Sequence, residues 1–170
     1  MIRALEIAVQ DIRKAIEARA FYAALITTLA LPDICPALES EDNRSSREKY
    51  KAWYRNWVQD RFYGTFSDDA CYALRCGMVH QGQISVPGIA EVTRVEFRLP
   101  QETSISAHGC IEDTMVQFEL QIFCEEFLAG VERWWEAKGE DPLVKQNIPH
   151  MLSYHENGKV HGIPVGAVFA

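Results

Sequence analysis

The sequence predicts a mainly α-helical fold: a bundle of about four long helices, a small β excursion at about residues 91–111 and an irregular C-terminal tail. Apolar residues recur in steps of three and four through the first thirty residues and again through residues 112–137, as on one face of a helix. Residues 91–99 instead form a short run with Val and Phe that is typical of a strand. No linker or repeat divides the chain, so we expect one domain over residues 1–170.

The N-terminal helix is predicted to run to Leu31, because the residue before a proline is disfavoured in the helical conformation. The segment from Leu31 to Leu38 contains two prolines and is predicted to be an ordered turn, and the polar residues that follow are predicted to form a loop. A capping box at Ser45–Glu48 then predicts a second, strongly aromatic helix that ends near Gly64.

Ser67 is a predicted N-cap for the third helix, which ends near Gly82. After the strand at 91–99, residues 104–111 are predicted to pair with it. The fourth helix covers residues 112–137. In the Gly- and Pro-rich tail, Asn157-Gly158 is a candidate hairpin turn.

Composition excludes several classes of function. The chain has 17 Lys and Arg against 24 Asp and Glu, a formal net charge of -7, so no broad binding of DNA or of anionic membranes is expected. The N-terminal segment is charged throughout, which predicts neither a signal peptide nor a membrane span. Five scattered cysteines are typical of reduced thiols, and we expect a cytoplasmic protein.

Few local motifs support a cofactor or a metal. The sequence contains no glycine-rich phosphate loop, nucleophile elbow or zinc-hydrolase helix. Cys76 and His80 are four residues apart on one predicted helix face, but two ligands do not make a metal site. The aromatic residues of the second helix could stack on nucleic acid bases, yet rings at helical spacing are more often core or interface. The expectation is therefore no metal and no cofactor.

Arg75 and His80 are the candidate catalytic residues. A histidine can remove the proton from a ribose 2′-hydroxyl or protonate the leaving oxygen, and a guanidinium can stabilise charge on a phosphate. Five helical steps place the two side chains about 140° apart, so we expect their convergence to require a distortion near Gly77 or a second subunit. In the alternative, structural interpretation, Arg75 pairs with an acidic neighbour and His80 caps the last helical turn.

The string from Arg75 to His80, R-C-G-M-V-H, resembles the R-x4-H signature of the HEPN superfamily. More specifically, the chain is similar to a group of uncharacterised bacterial proteins that share the elements LPDIC (31–35), an aromatic helix (53–57) and CYALRC…HQG (71–82). This resemblance implies a helical bundle that dimerises, with Arg75 and His80 from both subunits forming a metal-independent endoribonuclease site. Such proteins act in toxin–antitoxin, abortive-infection and RNA-processing systems. Many active members carry Asn or Asp directly after the arginine, where this chain has Cys76.

Three interpretations follow. The first is a cytoplasmic homodimer that cleaves or binds RNA, with an antitoxin or regulatory protein as a further partner. The second is a catalytically silent binding or regulatory protein in which Arg75 and His80 are structural. The third is a nucleotide-binding accessory module that pairs with a separate enzyme.

Overall fold

A computed structural model describes residues 1–100, 107–152, 154–160 and 163–169 of the chain. The fold is mainly α, with a small three-stranded sheet, as predicted. The helices of the described part are α1 (Arg3–Glu17), α2 (Phe21–Leu38), α3 (Arg47–Trp57), α4 (Asp68–Gln81), α5 (Leu120–Lys138) and α6 (Pro142–Asn147). The strands are β1 (Arg94–Arg98), β2 (Cys110–Glu112), β3 (Met115–Glu119), β4 (Tyr154–Val160) and β5 (Ile163–Phe169).

The predicted first helix is two helices, and its predicted end is wrong. Arg19 has a positive φ of 60°, which ends α1 and lets the chain turn before α2 begins. Helix α2 then continues through Pro32 and Pro36 to Leu38, where a turn was predicted. Burial of Leu31, Pro32, Cys35, Pro36 and Leu38 stabilises this helical continuation against the helix-breaking tendency of the two prolines.

Polar side chains close the C-terminal end of α2, where the last carbonyls of a helix lack partners within it. The Ser40 hydroxyl donates to the Pro36 carbonyl at 2.7 Å. The buried amide of Asn147, from α6, donates to the carbonyls of Leu38 at 3.0 Å and Ser40 at 2.8 Å. The prediction of an irregular C-terminal tail is therefore wrong in part. The segment from Pro142 onwards contains α6, which packs on α2, and the antiparallel strands β4 and β5.

The second helix is interrupted before Gly64. Its N-cap is Ser46, whose hydroxyl accepts from the Lys49 N–H at 3.3 Å, one residue later than the predicted capping box begins. Helix α3 ends at Trp57, and a short 3-10 helix follows at Gln59–Phe62. Four of the aromatic rings in this segment are core residues, as predicted: Tyr50, Trp53, Tyr54 and Phe62 are each at most 2% exposed. Trp57 is half-buried and Tyr63 is 89% exposed, so these two rings do not belong to the core.

The β excursion forms at the predicted place, although its pairing and its end differ from prediction. Strand β3 occupies residues assigned to the fourth helix, because Val116 and Phe118 are buried with the period of a strand. It lies between β1, which it pairs in parallel, and β2, which it pairs antiparallel. The prediction that residues 104–111 pair with the strand at 91–99 is therefore wrong for residues 107–111, since β2 pairs with β3 instead. Residues 104–106 lie outside the described residues.

Asn157 and Gly158 lie within β4, so the predicted hairpin turn at these two residues is wrong. Helix α5 joins this small sheet to the bundle. It begins directly after β3, and it packs against α1, α2 and α3.

One described helix, α2, is long and apolar enough to cross a membrane by length and composition alone. Half of that stretch is buried inside the protein. Helices α1, α3, α4, α5 and α6 all pack against it, which is the position of a central core helix. The fold therefore accounts for the apolar composition of α2 by packing.

Candidate functional site

Helix α4 carries both predicted catalytic residues and has well-formed ends. The Ser67 hydroxyl accepts from the Ala70 N–H at 3.2 Å, so Ser67 is the N-cap, as predicted. At the other end Gly82 adopts a left-handed conformation with φ 65°. The Gly82 and Gln83 N–H groups donate to the carbonyls of Met78 and Gly77, which closes the helix. His80 consequently lies in the last turn and is exposed to solvent.

Gly77 fixes how the chain leaves α4. A Cβ atom at this position would lie 2.9 Å from the Gln83 carbonyl oxygen and 3.3 Å from that of Ser85, both backbone atoms. The returning segment at 83–85 therefore lies directly against α4. Ser85 and Ile84 in turn contact β1, through a bridge to Arg94 and a hydrogen bond from the Val95 N–H to the Ile84 carbonyl.

The side chains of Arg75 and His80 meet within one chain. Arg75 Nη1 lies 3.2 Å from His80 Nε2. Because a guanidinium has no acceptor atom, Arg75 donates and Nε2 of His80 accepts, which requires the imidazole tautomer with its proton on Nδ1. Neither a distortion of the helix nor a second subunit is needed, contrary to the prediction, because α4 is a continuous α-helix to Gln81 and the long arginine side chain spans the angular separation.

Asp33 is the third member of this site, and sequence reasoning missed it. Its Oδ2 accepts from Arg75 Nε at 2.9 Å and lies 2.8 Å from Nη2. The two side chains are about one-fifth exposed, at 23% for Asp33 and 22% for Arg75. Asp33 faces Arg75 because α2 remains helical beyond Pro32. The LPDIC string contains the residue, but the predicted turn concealed its position opposite α4.

Burial and neighbouring groups shift the pKa of Arg75 in opposite directions. Burial disfavours its charged form, but the Asp33 carboxylate and the Cys76 thiol outweigh that effect, so the pKa of Arg75 is raised. Burial, with a further contribution from Cys76, raises the pKa of Tyr72 on the same helix. Arg75 therefore remains a cation in the folded protein.

Tyrosines from α2 and α3 support this face of α4. The Tyr50 hydroxyl donates to the Leu29 carbonyl at 3.1 Å and lies 3.6 Å from Cys71 Sγ, so it ties α2 to α4 through the core. Tyr22, 57% exposed, donates to the Met78 carbonyl at 3.4 Å. Val79, beside His80, is 38% exposed. The end of the site is therefore flanked by apolar surface.

The arginines near the aromatic helix are engaged by acidic residues of neighbouring elements. Arg47 binds Asp69 at 2.9 Å, Arg55 binds Asp68 at 2.7 Å and Arg61 binds Glu126 at 2.7 Å. They do not form a free basic surface of the kind that binds nucleic acid without sequence preference.

The remaining candidates from the sequence fall elsewhere. Among the described residues, no group of three His, Cys, Asp or Glu side chains is placed to hold a metal ion. His108 is half-buried against the rings of Phe62 and Phe118, and its Nδ1 accepts from the Glu119 N–H at 3.2 Å. His150 and His155 are exposed, and His161 lies outside the described residues.

Comparison of the chain with models of protein families, with curated proteins and with solved structures found no match.

Proposed function

We propose that this chain is a cytoplasmic, HEPN-like homodimer that binds and cleaves single-stranded RNA without a metal at Arg75 and His80. The observation that carries the proposal is the contact between Arg75 Nη1 and His80 Nε2, at 3.2 Å and at an exposed helix end. This contact places the Arg75 guanidinium, a permanent cation, beside the His80 imidazole, a group able to act as a general acid or base. The R-x4-H resemblance supports the same assignment.

The proposed reaction uses the two side chains in succession. An RNA phosphate binds the Arg75 guanidinium and competes with His80 for Nη1, which frees the Nε2 lone pair. His80 removes the proton from the ribose 2′-hydroxyl, and the 2′-oxygen attacks the adjacent phosphorus. The bond from phosphorus to the 5′-oxygen breaks, and His80 of the partner subunit, which enters the step as the imidazolium, gives its proton to the leaving oxygen and becomes neutral. The two histidines exchange their protons with water before the next turnover. The products are a 2′,3′-cyclic phosphate and a 5′-hydroxyl.

Asp33 holds the guanidinium in place for this step. Its Oδ2 engages Nε and Nη2, which leaves the Nη1 edge directed towards His80. A guanidinium fixed on one side loses less conformational entropy when it binds a phosphate on the other. Asp33 also lowers the net positive charge of the site. Binding of a phosphate therefore depends on the orientation of the Arg75 N–H groups as well as on charge.

A catalytically silent protein is the second candidate, and the Asp33–Arg75 pair favours it. This ion pair joins α2 to α4 and is about four-fifths buried, as expected of an architectural contact. In that case a binding or regulatory protein uses the same face without cutting RNA. The presence of Cys76, where many active relatives of the resembled family carry Asn or Asp, agrees with this alternative.

Cleavage of a labelled single-stranded RNA in excess EDTA separates the two candidates. The proposal predicts cutting by the wild-type protein and a loss of at least about 100-fold in rate for His80→Ala, the range found for a general acid–base. His150→Ala, which removes another exposed histidine, is the matched control and is expected to cut normally. If the folded wild type cuts no RNA, or if His80→Ala cuts equally well, the nuclease proposal is wrong.

The homodimer is proposed from the resemblance and from the exposed Tyr22 and Val79 beside His80. Light scattering is expected to give twice the chain mass of 19.3 kDa, and Val79→Asp is expected to shift it towards the monomer. A wild type that is monomeric while cutting RNA would contradict this part of the proposal. An antitoxin or regulatory protein remains a proposed further partner.

A further inference from the structure

A groove runs along α4 next to the Arg75–His80 pair. Its volume is about 260 Å³, and it lies between α4 and the segment that returns after Gly82. The lining residues are Arg47, Tyr72, Ala73, Cys76, Gly77, Gln81, Ser85 and Pro87. It is thus bounded by an aromatic ring and a guanidinium at one end and by an amide and a hydroxyl at the other.

The aromatic ring of the groove is held in place by its neighbours. Tyr72 is half-buried, and its ring packs edge-to-face on Tyr50 with centroids 5.3 Å apart. The Arg47 guanidinium lies 5.6 Å from the centre of the Tyr72 ring, and Asp69 binds that guanidinium at 2.9 Å. Because these contacts fix the ring before any ligand arrives, stacking on it costs little side-chain entropy.

The groove adjoins Arg75 through Cys76, although neither Arg75 nor His80 lines it. Cys76 lines the groove, and the Cys76 side chain also interacts with the Arg75 guanidinium. Gln81, at the far end, directly follows His80. A chain of nucleotides that places its phosphate on Arg75 can therefore place an adjoining base in the groove.

We propose that this groove binds one unpaired base of a single-stranded RNA, next to the phosphate held by Arg75. This inference rests on the proposed function. The base stacks against the side of the Tyr72 ring that the Arg47 guanidinium leaves open, and the Arg75 guanidinium holds the adjoining phosphate. The groove, at about 260 Å³, is slightly smaller than the range of about 300–1,000 Å³ for pockets that hold drug-sized ligands, which suits a single base.

Fluorescence anisotropy with a labelled, 2′-O-methylated RNA octamer tests the inference, since that probe cannot be cleaved through its 2′-oxygen. Tyr72→Leu is expected to raise Kd about tenfold or more, the usual effect of losing one stacked base, whereas Tyr72→Phe keeps the ring and stays within about threefold of wild type. Ala73→Trp, which fills the groove and leaves Tyr72 in place, is expected to weaken binding to a similar extent. The same octamer annealed to its complement is expected to bind at least tenfold more weakly.

Kd values for Tyr72→Leu and Ala73→Trp within twofold of wild type would overturn the inference, as would equal binding of the duplex. The binding and cleavage results together distinguish failure of the groove proposal from failure of the nuclease proposal. If binding depends on Tyr72 and Ala73 but the wild type cuts no RNA, the groove stands and the nuclease proposal fails. If the wild type cuts RNA and both variants bind normally, cleavage stands and the groove proposal fails.

Discussion

Asp33 shows why the site could be predicted only in part at the scale of single residues. Arg75 and His80 were identified because both lie on one helix, where sequence spacing limits their separation. Asp33 is 42 residues away from Arg75, and its approach depends on how α2 packs on α4. That packing in turn depends on a helix continuing past Pro32, against the local preference. A single sequence records the residue but not the contact.

A double-mutant cycle with Asp33→Asn and Arg75→Met measures the coupling in that ion pair. We expect an interaction free energy of about 1 kcal/mol from urea unfolding, near the upper end for ion pairs that keep some contact with water. The matched control is the exposed pair Arg13–Glu125, whose side chains are 45% and 41% exposed and whose coupling is expected to be a few tenths of a kcal/mol. Equal couplings in the two cycles would show that Asp33 does not hold Arg75.

His108 makes the stability of the fold depend on pH. Burial against Phe62 and Phe118 lowers its pKa below the ordinary value, and its Nδ1 is occupied as an acceptor from the Glu119 N–H. The unfolded chain binds a proton at this residue near pH 6.5, while the folded chain resists it. Between the two pKa values the unfolded state carries more protons, so stability is lost as pH falls from about 6.5.

His108→Gln keeps a hydrogen-bonding side chain and removes this titration. The drop in urea midpoint between pH 7.5 and pH 5.5 is expected to be smaller in His108→Gln than in the wild type. Other groups titrate in both proteins, so only the difference between the two drops is informative. Identical drops would show that His108 is protonated equally well in the folded and unfolded states.

At the scale of elements, the sequence predicted helices wherever periodicity was long and unbroken and failed where tertiary contacts outweighed local rules. The ends of α4 at Ser67 and Gly82 were predicted because capping is a local interaction. Strand β3 was missed because Val116 suited both the helical repeat and a strand, and only its pairing with β1 and β2 decides between them. The break at Arg19 has no glycine or proline to signal it.

Gly130 controls how closely α5 approaches α3. A Cβ atom at this position would lie 2.6 Å from Val58 Cγ2 and 3.1 Å from the Trp57 carbonyl oxygen. In an open helix Gly→Ala stabilises by about 1 kcal/mol. Here Gly130→Ala is expected to lower the free energy of unfolding by about 1–3 kcal/mol through overpacking.

The Val58→Ala substitution provides the internal control for Gly130, since it removes the nearest methyl group. The double variant is expected to be more stable than the sum of the two single effects predicts. Full additivity in thermal or urea unfolding would show that α5 shifts away from α3 without cost, which would contradict the close contact.

At the scale of the whole molecule, the mainly α fold followed from the sequence, and the function did not. The net charge is -7, and Arg47, Arg55 and Arg61 are paired with acids, so these arginines form no broad cationic face in the described part of the chain. The RNA of the proposed function is accordingly expected to bind locally, at the end of α4 and in the groove beside it. This concentrates the proposed function on one small, testable region.

The most direct test of the central claim is cleavage, in EDTA, of an RNA whose scissile position carries a 2′-deoxyribose. The proposed chemistry needs the 2′-oxygen as nucleophile, so the all-ribose strand should yield 2′,3′-cyclic phosphate and 5′-hydroxyl ends, and the deoxy-substituted position should not be cut. His80→Ala should cut the all-ribose strand at least about 100-fold more slowly than the wild type. Cleavage at the deoxy position, products with 5′-phosphate ends, or full dependence on a divalent metal would contradict the assignment of His80 and Arg75 as the catalytic pair.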